Sequence, residues 1–124
     1  MPLWNTEKIE RMKNMDDTEK HFGSTDGQFA IVFANGWWID ASFGPGSYSN
    51  NHRRLDIHNL PEFVECENCE TIVNDNLQHD RTLEVGKILG IRVDGNEVTA
   101  IMPYLKFEDW LRVFDYVRAQ ERIP

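Results

Sequence analysis

The residues best suited to chemistry lie between positions 38 and 80. Cys66-Glu67-Asn68-Cys69 has the spacing at which two thiolates grip one zinc ion. A closed structural site needs two more ligands, and His58, His79 and His52 are the candidates. The other reading of this pair is two small buried thiols beside a strand. A redox dithiol fits poorly, because Glu65, Glu67 and Glu70 would raise the thiol pKa values. Asp56-Ile57-His58-Asn59, the C-x-x-C and Asn76-Leu77-Gln78-His79 also contain pieces of an HNH-type metal nuclease. Their order and spacing do not match that motif, and the acidic chain opposes a nucleic-acid substrate.

A second chemistry is offered by residues 44–54. This loop joins two glycines to Ser47, Tyr48, Ser49, Asn50, Asn51, His52, Arg53 and Arg54. Exposed amides with an arginine pair can hold a phosphate, so Ser47, Tyr48, Asn50, His52, Arg53 and Arg54 are candidate ligand contacts for a nucleotide signal. Tyr48 and Trp38 could stack beside it. The plainer reading is a polar connection with no ligand.

A third lies in charge. Glu62, Glu65, Glu67, Glu70, Asp75 and Asp80 are six acidic residues in a stretch with no Lys or Arg. Spaced among Asn and Gln, they could imitate nucleic-acid phosphates on a host protein, or form a solvated edge that discourages strand pairing. Trp37 and Trp38 are adjacent, so on a strand they point to opposite faces. One serves the core, and Trp38 is the candidate contact residue.

The elements that must position these groups are legible in part. Apolar residues at Trp4, Ile9, Met12, Met15 and Phe22 suggest a loosely attached N-terminal helix or arm over residues 1–27. Gln28 to Asn35 reads as strand. Asn35-Gly36 supplies two residues tolerant of positive φ, and Trp37 to Phe43 alternates apolar with polar as a returning strand. Residues 62–73 hold one or two short strands. Leu83 to Val93 reads as another strand, turning at Asp94-Gly95 into Glu97 to Met102, which Pro103 should stop. Phe107, Trp110, Leu111, Phe114 and Val117 form the apolar stripe of a C-terminal helix. The expected fold is α+β, an antiparallel sheet of hairpins covered by that helix, with residues 28–124 forming one domain.

The segments Phe33-Ala34-Asn35-Gly36-Trp37 and Phe43-Gly44-Pro45-Gly46-Ser47-Tyr48-Ser49-Asn50 resemble a pattern in small bacteriophage-encoded accessory proteins, F-x-N-G-aromatic followed by F-G-x-G-x-Y-x-x-N. Cys69-Glu70-Thr71-Ile72-Val73 sits where those proteins carry a later strand. After Val73 this chain has Asn74-Asp75 in place of a Trp-Asp turn. The resemblance transfers no catalytic residue. It implies a cytoplasmic anti-defence protein, of the anti-CRISPR kind, that binds and disables a host factor.

The totals bound the rest. The 124 residues carry 21 acidic and 13 basic side chains, a net charge of -8, which argues against direct docking on nucleic acid and favours a partner with a basic surface. The longest apolar run, Phe29 to Ala34, is too short to cross a bilayer as a helix, and no leader is visible in the opening residues. The expectation is a non-catalytic inhibitor of a host protein. It has no cofactor, zinc being the alternative that Cys66 and Cys69 allow. An oligomer remains compatible with it.

Overall fold

The computed structural model describes residues 3–14, 20–55 and 63–124; His58 and Glu62 lie outside them. In chain order the elements are helix α1 (Thr6–Met12), strands β1 (Phe22–Ser24), β2 (Gln28–Val32), β3 (Trp38–Ser42), β4 (Arg53–Leu55), β5 (Phe63–Cys66) and β6 (Asn68–Asn74), helix α2 (Thr82–Leu89), strands β7 (Asp94–Gly95) and β8 (Ala100–Lys106), and helix α3 (Phe107–Arg118). The fold is mixed α+β, as the patterning predicted, with an antiparallel sheet and a C-terminal helix packed on it.

Five strands form the main sheet in the order β2-β3-β6-β8-β7, and a smaller sheet has the order β1-β5-β4. Strict alternation divides the main sheet. Phe29, Ile31, Ile39, Ala41, Thr71, Val73 and Met102 are buried on one face. Trp110, Val113, Phe114 and Val117 of α3 close over that face and are fully buried. The Trp110 ring meets Phe29 and Phe22 edge-on, at 5.7 and 5.6 Å between centroids. Each such aromatic contact adds about 1 kcal/mol to the burial of its area.

The first helix is tied to this body rather than loose. Ile9 is completely buried, and Trp4 stacks on Phe29 at 4.2 Å. Leu3 bridges to Ala30 at the β2 edge, and Lys13 and Glu10 pair with Asp115 and Arg118 of α3. Phe22 of β1 joins the same core.

Three local expectations are corrected. Residues 83–93, read as strand, instead supply most of α2 (Thr82–Leu89) and the segment after it. Leu83, Val85, Leu89, Ile91 and Val93 mimic period-2 alternation, but Thr82, Val85, Gly86 and Leu89 also fall at i, i+3, i+4 and i+7. The helical reading wins because Asp80 Oδ1 accepts from Thr82 N at 2.8 Å and Gly90 closes the far end at φ +69°. Gly86 is required here, since a Cβ on it would lie 2.1 Å from Val93 Cγ2. Second, Asp94-Gly95 is a short strand, and the turn falls at 96–99, where Asn96 Oδ1 accepts from Val98 N and Thr99 N. Third, β8 runs past Pro103 to Lys106. Its register on β6 shifts by one residue between Cys69↔Leu105 and Thr71↔Met102, and this bulge absorbs the missing proline N–H.

The Asn35-Gly36 turn forms, but only Gly36 takes positive φ, at +83°. Asn35 is used differently. Its Nδ2 donates to Val117 O at 2.9 Å and Gln120 O at 2.7 Å, while Oδ1 accepts from Trp37 N at 2.9 Å. The hairpin thus caps the free carbonyls at the end of α3. Asn35→Ala is expected to lower stability by about 1–2 kcal/mol, read as a shift in urea midpoint at unchanged slope.

Candidate functional site

The 44–54 loop spends its polar groups on itself. Ser47 Oγ donates to Gly44 O at 2.6 Å, and Ser49 Oγ donates to Phe43 O at 3.0 Å. Asn50 N donates to Asn68 Oδ1 at 2.8 Å, Asn68 Nδ2 donates back to Asn50 Oδ1, and Asn50 O accepts from Cys66 Sγ. These bonds set the loop's shape and leave Ser47 and Asn50 committed. His52 and Arg53 are exposed, and Arg53 pairs with Glu65 across β4 and β5. Arg54 is exposed opposite Val64. The loop's arginines therefore lie on the small sheet, with Arg53 paired to Glu65.

The described acidic residues do not form one surface. Glu65 is buried between Arg53 and His21. Asp75 is completely buried and accepts from Leu77 N, His79 N and Arg81 Nε at 2.8, 3.0 and 2.7 Å. Burial pushes the Asp75 carboxyl up, but the Arg81 bond and the two amides outweigh it and hold it below the ordinary range. Asp80 Oδ1 accepts from Thr82 N, the first amide of α2, and Glu70 Oε1 accepts from Tyr48 N at 3.0 Å. Only Glu67 of this described set is fully exposed.

Cys66 and Cys69 are both buried and reduced. Cys69 Sγ lies 3.1 Å from Thr71 Oγ1, and burial pushes its thiol well above the ordinary range. His79 sits in the turn after β6, ten residues on from Cys69, with Nδ1 3.5 Å from Asp75 Oδ2. Among the described residues no three His, Cys, Asp or Glu side chains converge as metal ligands.

What the fold does bring together is the second face of the main sheet. The register builds three cross-strand rows there. Val32, Trp38 and Asn74 form the first, Leu3, Ala30, Asp40 and Ile72 the second, and Gln28, Ser42 and Glu70 the third. Among the described residues no helix packs on this face, since α1, α2 and α3 contribute their buried residues to the core on the opposite one. Val32 is 55 % exposed, and Trp38 and Ile72 are half-buried, so an apolar band lies open to contact. Tyr104, re-aimed by the bulge at φ +51°, and Tyr48 extend it past Glu70.

Asp40 occupies the middle. Its Oδ1 is buried without a hydrogen-bond partner among the described residues. Burial pushes the carboxyl up and Glu70 adds to the effect, while the positive N-terminus opposes both without cancelling them. Beside Glu70 a shallow cleft of about 300 Å³ opens, lined by Asp26, Gln28, Ser42 and the Gly44–Ser47 turn. Its two carboxylates favour cationic groups.

Of the sequence-based candidates, this face collects Trp38, Glu70 and Tyr48. It adds Val32, Asp40, Ile72 and Tyr104. Asp40 and Ile72 were signalled by their alternation with Trp38 and Glu70; Tyr104 was hidden behind the expected stop at Pro103. No helix among the described residues is long and apolar enough to cross a membrane. Set against protein-family models, curated proteins and solved structures, the chain matches none.

Proposed function

We propose that this protein is a non-catalytic binding protein that docks a host protein with a basic surface on the open face of its five-stranded sheet. The observation that carries the reading is the pairing of an apolar band, Val32, Trp38 and Ile72, with a buried carboxylate oxygen, Asp40 Oδ1, that has no hydrogen-bond partner among the described residues. An isolated monomer gains nothing from a half-buried, unsatisfied carboxylate. A partner's Lys, Arg or amide donor set against it would satisfy that oxygen while apolar contacts exclude water. None of the side chains in the three rows is basic, and the chain carries a net charge of -8, so the complementary surface is cationic. The resemblance to bacteriophage accessory proteins makes a host defence protein the natural target, and steric or electrostatic blockade the mode of inhibition. The acidic contribution comes from Asp40 and Glu70 rather than from the whole 62–80 stretch.

The test is capture from host lysate on immobilised protein, with an Asp40→Lys/Glu70→Lys double variant in parallel. A basic protein held by the wild type, lost by the variant and released between about 0.1 and 0.5 M salt is the expected result. Identical retained proteins on both would contradict it.

Asp40→Asn separates folding from binding. The folded carboxyl titrates above its ordinary value of 3.8, so its ionisation weakens the folded state as pH rises through that raised value. At neutral pH the variant is expected to be about 0.5–1 kcal/mol more stable than the wild type, with the difference vanishing in acid, while partner binding weakens. Urea unfolding at several pH values checks the first, and calorimetric titration of the captured partner the second.

A further inference from the structure

We infer that Tyr48, Tyr104 and Glu70 form a notch that takes the guanidinium group of an arginine side chain presented by the partner. The assignment rests on the docking reading above and names its anchor point. Three backbone and side-chain links hold the notch together. Tyr48 N donates to Glu70 Oε1 at 3.0 Å, Tyr104 N donates to Tyr48 O at 2.9 Å, and the β8 bulge sets Pro103 and Tyr104 opposite Glu70. The two rings stand 6.4 Å apart between centroids at 88°, so their faces bound a right-angled corner. Both remain open, Tyr48 at 54 % and Tyr104 at 43 % exposure.

Holding Tyr104 at φ +51° is unfavourable for a residue with a Cβ. That strain aims a large ring at solvent instead of the core. The nearby Arg92 does not fill the corner, because it makes two bonds to Asp94, at 3.1 and 2.9 Å. Among the described residues no cation stands over either ring, whereas Lys8, Lys13, Arg81 and Arg118 all stand over other aromatic rings. Glu70 Oε2 accepts no hydrogen bond from the described residues. Two aromatic faces with a carboxylate at their base favour a cation, and a planar one can stack on a ring while donating to Oε2. An ammonium would use the charge but not the stacking surface.

The experiment uses the full chain labelled with carbon-13 in its tyrosine rings. The chain has only three tyrosines, and Tyr116, on α3, serves as an internal control. The probes are the acetylated methylamides of arginine, lysine and citrulline, the last being a neutral near-isostere of arginine. Arginine is expected to move the Tyr48 and Tyr104 signals together, leave Tyr116 in place, and bind about tenfold more tightly than citrulline. Glu70→Gln, which keeps an acceptor for Tyr48 N, should weaken arginine to the citrulline level. Tyr104→Gly removes one wall and suits the left-handed backbone, so it should abolish the response while the rest of the amide spectrum stays fixed. Equal responses to arginine and citrulline, equal responses to arginine and lysine, or shifts shared by Tyr116 would each overturn the assignment. A Tyr104→Gly chain that ignores arginine yet retains the captured partner at wild-type strength would refute the notch alone and leave the docking face standing.

Discussion

Replacing Asp75 by Ala should cost about 3 kcal/mol, the largest loss expected from any polar side chain described here. The carboxylate is fully buried in the turn from β6 to α2 and satisfies Leu77 N, His79 N and Arg81 Nε at once. Removing it strands two amides and leaves Arg81 facing its own turn without its main counter-charge. The same turn carries Gln78 at φ +65° and the Asn74–Asp80 bridge, so its collapse would loosen the start of α2. The charge itself is separable from the shape. The folded Asp75 carboxyl titrates below its ordinary value of 3.8. Its contribution is therefore complete above that value and is lost as pH falls through the lower, folded one. Asp75→Asn should be markedly less stable than wild type near neutral pH and approach it only in acid, at a pH below 3.8. Denaturant unfolding at both pH values gives the comparison. A gap that widens in acid would reverse the sign and defeat the assignment.

Trp38→Ala should weaken partner binding by about 30-fold, equivalent to about 2 kcal/mol, while changing the stability of the free protein far less. Trp38 stands between Val32 and Asn74 on the open face and is half-buried there, so part of its ring remains to be covered. Its neighbour Trp37 points the other way, is 6 % exposed and lies under Arg81 at 6.0 Å. Trp37→Ala should show the opposite balance, with a large loss of stability. The pair is a controlled contrast: adjacent residues of one type, on opposite faces, with opposite expected outcomes. Calorimetric titration and urea unfolding of both variants measure it. Equal binding losses in proportion to stability would mean that Trp38 serves only the fold.

Elements whose pattern is purely local were readable before the structure. Alternation from Trp38 to Ser42 and the stripe from Phe107 to Val117 each specify one element, and each formed as expected. Residues 83–93 failed because two periods fit the same letters; the choice was made by Asp80 and Gly90 at the ends. The site was harder, because charge in a sequence says nothing about pairing. Glu65 finds Arg53 twelve residues earlier, and Asp75 finds Arg81 through a turn, so a run that looks like one acidic surface is divided among partners. Ser47 and Ser49 spend their hydroxyl protons in the same local way, on Gly44 O and Phe43 O, which residue type alone does not announce. Tyr104 required knowledge of a bulge that no residue type announces.

Hydrogen exchange of the protein, alone and with the captured host protein, tests the docking face most directly. Amide protection confined to β2, β3, β6, β8 and the 44–50 turn, with the outer surfaces of α1 and α3 unchanged, is the result expected here. Protection on α1 and α3 with an unaltered sheet would place the partner on the opposite side of the molecule and contradict the docking face.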